Sequence, residues 1–160
     1  MIIILMGVTG AGKTTVGRAL AAELGWAFAD ADDYHSVANV AKMRTGIPLN
    51  DADRLPWLQA LHDAIATWIA VGNSVVLACS ALKASYRKQL VIGPEVKLVY
   101  LRGSPALIAE RVASRPDHYM NPNLLRSQLE TLEEPLDAVV IDVDAPVPQI
   151  VARIRCALTI

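Results

Sequence analysis

The stretch "GVTGAGKT", Gly7 to Thr14, lies between a short apolar run, "IIILM" at 2–6, and the start of a helical pattern. It satisfies GxxxxGK(S/T) in the context that gives this spacing a mechanism, a strand turning into a helix. Gly7, Gly10 and Gly12 let the backbone aim N–H groups at phosphate oxygens, and the helix N-terminus adds partial positive charge. The expected nucleotide contacts are Gly7, Val8, Thr9, Gly10, Ala11, Gly12, Lys13, Thr14 and Thr15. Of these, Lys13 would meet the β- and γ-phosphates, and the Thr14 hydroxyl would ligate magnesium. ATP and Mg2+ are the implied cofactors. The plain alternative, a glycine-rich turn that merely joins strand to helix, gives way to the full motif in its proper setting. A dinucleotide-binding loop is excluded because Lys13 occupies the helix start and no acid follows a GxGxxG. A GTPase would need an NKxD-type segment, which the chain lacks.

Outward from the loop, further apolar runs read as buried strands: "WAFAD" at 26–30, "SVVLAC" at 74–79, "VKLVYL" at 96–101 and "AVVIDV" at 138–143. Helical patterns separate them. The first, about Lys13 to Leu24, repeats Val16, Leu20 and Leu24 and stops at Gly25. A second begins near Asp53, tolerates Pro56 in its first turn, repeats Leu58, Leu61, Ile65 and Trp68, and ends at Gly72. A third, "NPNLLRSQLETLEEP" at 121–135, has Asn121 as N-cap, Pro122 at the first helical position and Pro135 as its stop. Before it, "SRPDHYMNP" is polar and broken and reads as a mobile loop. Strands alternating with helices predict a doubly wound α/β sheet, with ligands at the carboxyl ends of its strands.

Length and composition agree. A chain of 160 residues suits one domain, and an apolar fraction of 53% suits a parallel sheet covered on both faces. The 15 Lys plus Arg against 16 Asp plus Glu, with no basic run, argue against a nucleic-acid partner and for a small one. No run of 18 apolar residues suggests a membrane span, and "MIIILM" is too short, without a basic leader, for a signal peptide. Cys79 and Cys156 read as reduced, buried residues rather than as a disulfide framework, which suits the cytoplasm.

The magnesium site needs a carboxylate, yet the third strand runs on into "CSALK" without one. The candidates at the ligand edge are Asp30, Asp32 and Asp33 in "DADDYH" and Asp142 and Asp144 after the fifth strand. Asp30 suits a magnesium-water holder, and Asp32 would then orient an acceptor hydroxyl and take its proton. The plain alternative is an acidic turn capping the next helix, and the role of Asp33 stays open.

Taken together, these residues resemble the P-loop gluconate kinases, relatives of shikimate kinase and the nucleoside monophosphate kinases. The resemblance covers nearly the whole chain. It rests on "GVTGAGKT", on "DADDYH" followed by Asn39, Lys42 and Met43, on "GIPLNDADRLPWL" at 46–58, on "CSALK" at 79–83 with Tyr86 and Arg87, and on "HYMNPNLLRSQLETLEEP" at 118–135. It implies a P-loop kinase fold, a five-stranded parallel sheet in the order 2-3-1-4-5 with helices on both faces. It also implies a substrate segment at about 31–58, a short lid at about 111–121 and a homodimer. The implied reaction moves the ATP γ-phosphoryl group to D-gluconate.

Gluconate carries one carboxylate and five hydroxyls, so its site needs cations together with hydrogen-bond donors and acceptors. His35, Lys42, Arg54, Ser80, Lys83 and Arg87 supply such groups, and Arg54 is the preferred charged contact because "NDADR" resembles the segment where shikimate kinases keep a substrate-binding arginine. Lys42 and Arg87 read equally well as cleft contacts or as ordinary solvated charges, and His35 as a contact or a helix cap. In the lid, Arg111 is assigned to the nucleotide and Arg115 to catalysis on the transferring phosphoryl group, while His118 is a substrate contact or a helix cap. "DVDAPV" at 142–147 resembles the family's adenine loop. The chain departs from the family pattern at Ser36, at Ala84 and in the lid sequence "RPDHY".

Overall fold

The computed structural model describes residues 1–114 and 122–160. β1 (Ile2–Met6), β2 (Ala27–Asp30), β3 (Val75–Ala78), β4 (Val96–Arg102) and β5 (Val139–Asp142) form one parallel sheet in the order β2-β3-β1-β4-β5. This is the order that the family resemblance implies. β1 lies at the centre, with Ile4 opposite Leu77 on one side and Leu98 on the other. Because successive side chains of a strand point to opposite faces, β1 feeds two cores. Ile3 and Leu5 pack with Val16 and Leu20 of α1 (Lys13–Leu24) and Ile150 and Ile154 of α7 (Val147–Leu158). Ile2, Ile4 and Met6 pack with Trp57, Leu58, Leu61 and Ile65 of α3 (Asp51–Ala70). Double-sided burial is why β1 and β3 read as unbroken apolar runs.

Between β2 and α3 the chain makes a single 3₁₀ turn, Ala31–Tyr34, and α2 (Val37–Arg44). Ser36, one of the departures from the family pattern, is the N-cap of α2 and accepts the Asn39 N–H at 3.2 Å. The helix expected from about Asp53 starts earlier, at Asp51. Asn50 and Asp53 cap one another reciprocally, which makes Asp53 the third helical residue and places Pro56 inside the helix, past its first turn. The remaining helices are α4 (Ala84–Leu90), α5 (Pro105–Ala113) and α6 (Pro122–Thr131). α6 ends at Thr131, a turn before the expected stop at Pro135. Arg111 belongs to the last turn of α5. Arg115, His118 and Asn121 lie outside the described residues, as does the rest of the expected lid up to that asparagine.

Candidate active site

The phosphate loop leaves β1 at its carboxyl end and turns into α1 at Gly12, whose left-handed φ of 89° makes it a helix N-cap with no side-chain cap over the N-terminal N–H groups. Gly10 must be glycine for a second reason. A Cβ there would sit 2.8 Å from Val112 of α5, with φ already at +81°. Val8 and Ala11 are buried beneath the loop, so their contribution to a phosphate is through the backbone. Gly7 N–H donates to Ser80 O at 3.3 Å, which ties the loop to the end of β3. Lys13 Nζ bridges the Gly7 and Val8 carbonyls at 2.9 and 3.0 Å along the same cleft.

The acid cluster meets the loop directly. Thr14 Oγ1 donates to Asp30 Oδ2 at 3.0 Å, and the other Asp30 oxygen accepts the Asp32 N–H at 3.2 Å. Asp30 thus caps a turn, as the plain alternative had it, and also faces the hydroxyl expected to bind metal. A hydroxyl and a carboxylate in contact at a phosphate loop are hard oxygen donors that fit magnesium, which takes one or two carboxylates beside phosphate oxygens. Asp142 lies outside the cleft lining. Arg102 holds it with two bonds, at 2.7 and 3.1 Å, and Asp144 faces Arg153 at 3.6 Å. Asp32 is open to cleft solvent, yet the walls crowd its carboxyl group. This desolvation, then the negative charge of Asp30, raise its pKa above the ordinary 3.8; Lys13 opposes the shift and Asp33 adds to it.

A cleft of about 240 Å³ is lined by the loop, Asp30, Asp32, His35, Arg54 and Ser80, so residues from separate parts of the chain share one space. The His35 ring stacks on Trp57 with centroids 4.6 Å apart and planes 8° from parallel. Trp57 is itself fixed by Nε1 donating to Ala31 O at 2.7 Å. Burial, then the charge of Arg54, lower the His35 pKa below 6.5. Nδ1 is buried without a hydrogen-bond partner among the described residues, and a neutral ring protonated on Nε2 leaves only a lone pair, not an N–H, unpaired there. As pH falls below 6.5 the unfolded chain takes up this proton while the folded chain resists it, so stability declines until the lower folded pKa is passed. His35→Gln is expected to lose part of this decline. Melting temperatures of both proteins between about pH 7.5 and 5.5 check it.

The other predicted cations are sorted by their partners. Lys42 is ion-paired with Asp53 at 2.7 Å and Lys83 with Asp51 at 2.8 Å, and neither lines the cleft. Arg54 does line it, with Nη1 donating to Tyr86 OH at 3.3 Å and the guanidinium over the Tyr86 ring at 5.7 Å. Arg87 requires a correction as a substrate contact. It is buried away from the cleft lining, and Nη1 donates to the carbonyls of Ala81 at 3.0 Å and Leu82 at 2.9 Å. There it braces a turn in which Ala81 has a positive φ of 43°. Arg87→Ala is therefore expected to cost about 1–3 kcal/mol per carbonyl left unpaired, and a urea titration compared with the substrate KM separates this from a binding role. Arg111 donates to Val143 O, holding α5 to the loop after β5 rather than lining the cleft.

The sequence reading missed Trp57, Tyr86 and Gln128 as site residues. Trp57 had a signal, an aromatic residue with a polar edge three positions after Arg54, hence on the same helix face. Gln128 had none beyond being polar on an otherwise amphipathic helix. Its Oε1 accepts the Thr9 N–H of the phosphate loop at 2.6 Å.

This architecture recurs in known proteins. The family model for shikimate kinase matches residues 9–156. A probable gluconokinase of Mus musculus is 43% identical, covering 98% of this chain and 97% of its own. A sugar kinase of a Janibacter species superposes with a TM-score of 0.91 at 42% identity, covering 99% of this chain and 94% of its own. A gluconokinase of Sinorhizobium meliloti superposes with a TM-score of 0.88 at 41% identity, covering 98% and 90%. With the phosphate loop, the paired Thr14 and Asp30 and the polar cleft on one sheet edge, the chain belongs to the gluconokinases within the shikimate kinase family of P-loop kinases.

Proposed function

We propose that this protein transfers the γ-phosphoryl group of ATP to the terminal hydroxyl of D-gluconate, giving 6-phospho-D-gluconate. The observation that carries the proposal is that the phosphate loop, Thr14 bonded to Asp30, Asp32, His35 and Arg54 line one cleft. The loop N–H groups and Lys13 would hold the β- and γ-phosphates. Thr14 and Asp30 would hold Mg2+, which when bound neutralises charge on the phosphate oxygens. Asp32 would orient the attacking hydroxyl and accept its proton, a task that its raised pKa assists. Arg54 would take the gluconate carboxylate, and neutral His35 would donate from Nε2 to a hydroxyl oxygen. Arg111 and Arg115 stay proposed partners of the nucleotide and the phosphoryl group, and His118 of the substrate.

A cytoplasmic setting forms part of the proposal, supported by two free cysteines, of which Cys79 is buried as expected and Cys156, contrary to expectation, is exposed at the surface of the last helix. So does a homodimeric state. ADP release measured with gluconate, other sugar acids, shikimate and nucleoside monophosphates tests the reaction. Gluconate is expected to give the highest kcat/KM, and absence of gluconate-dependent ADP would overturn the proposal.

A further inference from the structure

α6 turns Leu124, Ser127, Gln128 and Thr131 to the cleft at the spacing of one helical face. This wall lines the same cleft as the phosphate loop and Asp32. Toward the nucleotide, Gln128 Oε1 already accepts the Thr9 N–H at 2.6 Å. A carboxamide also carries two N–H donors, and with its oxygen committed to Thr9 these are the groups that half-buried Gln128 can offer to a ligand in the cleft. The Thr131 hydroxyl donates to Ser127 O at 2.7 Å, so its lone pairs remain to accept. A wall that combines donors with acceptors suits a polyhydroxylated acceptor better than a planar or apolar one.

The structure points to Gln128 as a specificity-determining residue that joins the acceptor to the phosphate loop. Oε1 holds the loop at Thr9, and Nε2 donates to a hydroxyl oxygen of the sugar acid. The assignment rests on the proposed gluconate kinase activity. It explains why an amide stands here. A purely structural partner of the Thr9 N–H needs an acceptor alone, which a carboxylate also supplies, whereas a group that reaches loop and substrate together needs both chemistries. A bound acceptor and an ordered loop would then favour one another, since binding coupling is reciprocal.

The test is a cycle between protein and ligand. Wild-type protein, Gln128→Ala and the isosteric Gln128→Glu are assayed with gluconate and a series of monodeoxygluconates, alongside ADP affinity and melting temperature. Both variants are expected to raise the KM for gluconate about tenfold, the effect of one lost hydrogen bond. One deoxy analogue is expected to bind wild-type protein about tenfold more weakly than gluconate and to lose that difference in Gln128→Ala. Gln128→Glu guards against a folding defect in the alanine variant, and ADP affinity reports any effect of its added charge on the phosphates. A gluconate KM within twofold of wild type in both variants, or deoxy penalties that are the same with and without the amide, would overturn the assignment. Failure of wild-type protein to phosphorylate gluconate would overturn the substrate reading instead, and the same cycle then applies to the acid that is turned over.

Discussion

Asp32→Asn is expected to lower kcat by about 10²–10⁴-fold, the usual worth of a positioned general base, while ATP affinity stays within a few-fold of wild type. The amide can still accept a hydrogen bond from the acceptor hydroxyl, but it cannot take the proton. Asp32, whose pKa is raised in the free enzyme, sets an acid limb in the pH dependence of kcat/KM, and that limb should vanish in the variant. The stability effect has the opposite sign. A carboxyl group whose folded pKa is raised binds its proton more tightly in the folded state. Its contribution is therefore lost as pH climbs from 3.8 through the raised value, and at neutral pH the ionised group is a burden on the fold. Asp32→Asn should thus melt at or above the wild-type temperature while nearly inactive. An inactive variant that also melts lower would point to a structural role for the carboxylate.

Lys13→Ala is expected to lower kcat by about 10²–10³-fold, as for loss of one donor to charge that develops in a transition state. Unlike Asp32→Asn, it should also weaken ATP, because the ammonium meets the phosphates before as well as during transfer. Lys13→Arg should restore little. The present geometry seats a compact ammonium between two carbonyls at 2.9 and 3.0 Å, and a planar guanidinium fork does not match it. Calorimetry with ADP and with a non-hydrolysable ATP analogue, alongside steady-state kinetics, separates the two variants. Equal loss of ADP and analogue affinity would place Lys13 on the β-phosphate alone.

The two variants concern the part of the site that was legible beforehand. The phosphate loop is contiguous, so glycine, lysine and threonine at fixed spacing carry their own geometry. The lack of an acid after β3 directed attention to the end of β2, where Asp30 does meet Thr14 at 3.0 Å. The strands were equally plain, since a sheet covered on both faces leaves unbroken apolar runs such as "IIILM". The apolar repeat alone marks the start of α3 late, because the capping box at Asn50 and Asp53 lies in a run of acids that also reads as loop. Among the cations, local pattern failed. Arg54 and Arg87 are both helical arginines near the ligand edge, yet one lines the cleft and the other is buried on two carbonyls.

What the sequence by itself determined is the chemistry that depends on neighbours along the chain: a nucleotide loop opening a helix, an acidic cluster at a strand end, and the α/β alternation that brings them to one edge. The tertiary structure decided which charges are spent on the protein itself. Lys83 meets Asp51, 32 positions away, and Thr9 meets Gln128, 119 positions away. The physical reason is that a charge or an amide has no fixed role until its partner is known. Partners from separate elements are chosen by packing across the sheet, which no spacing along the chain records.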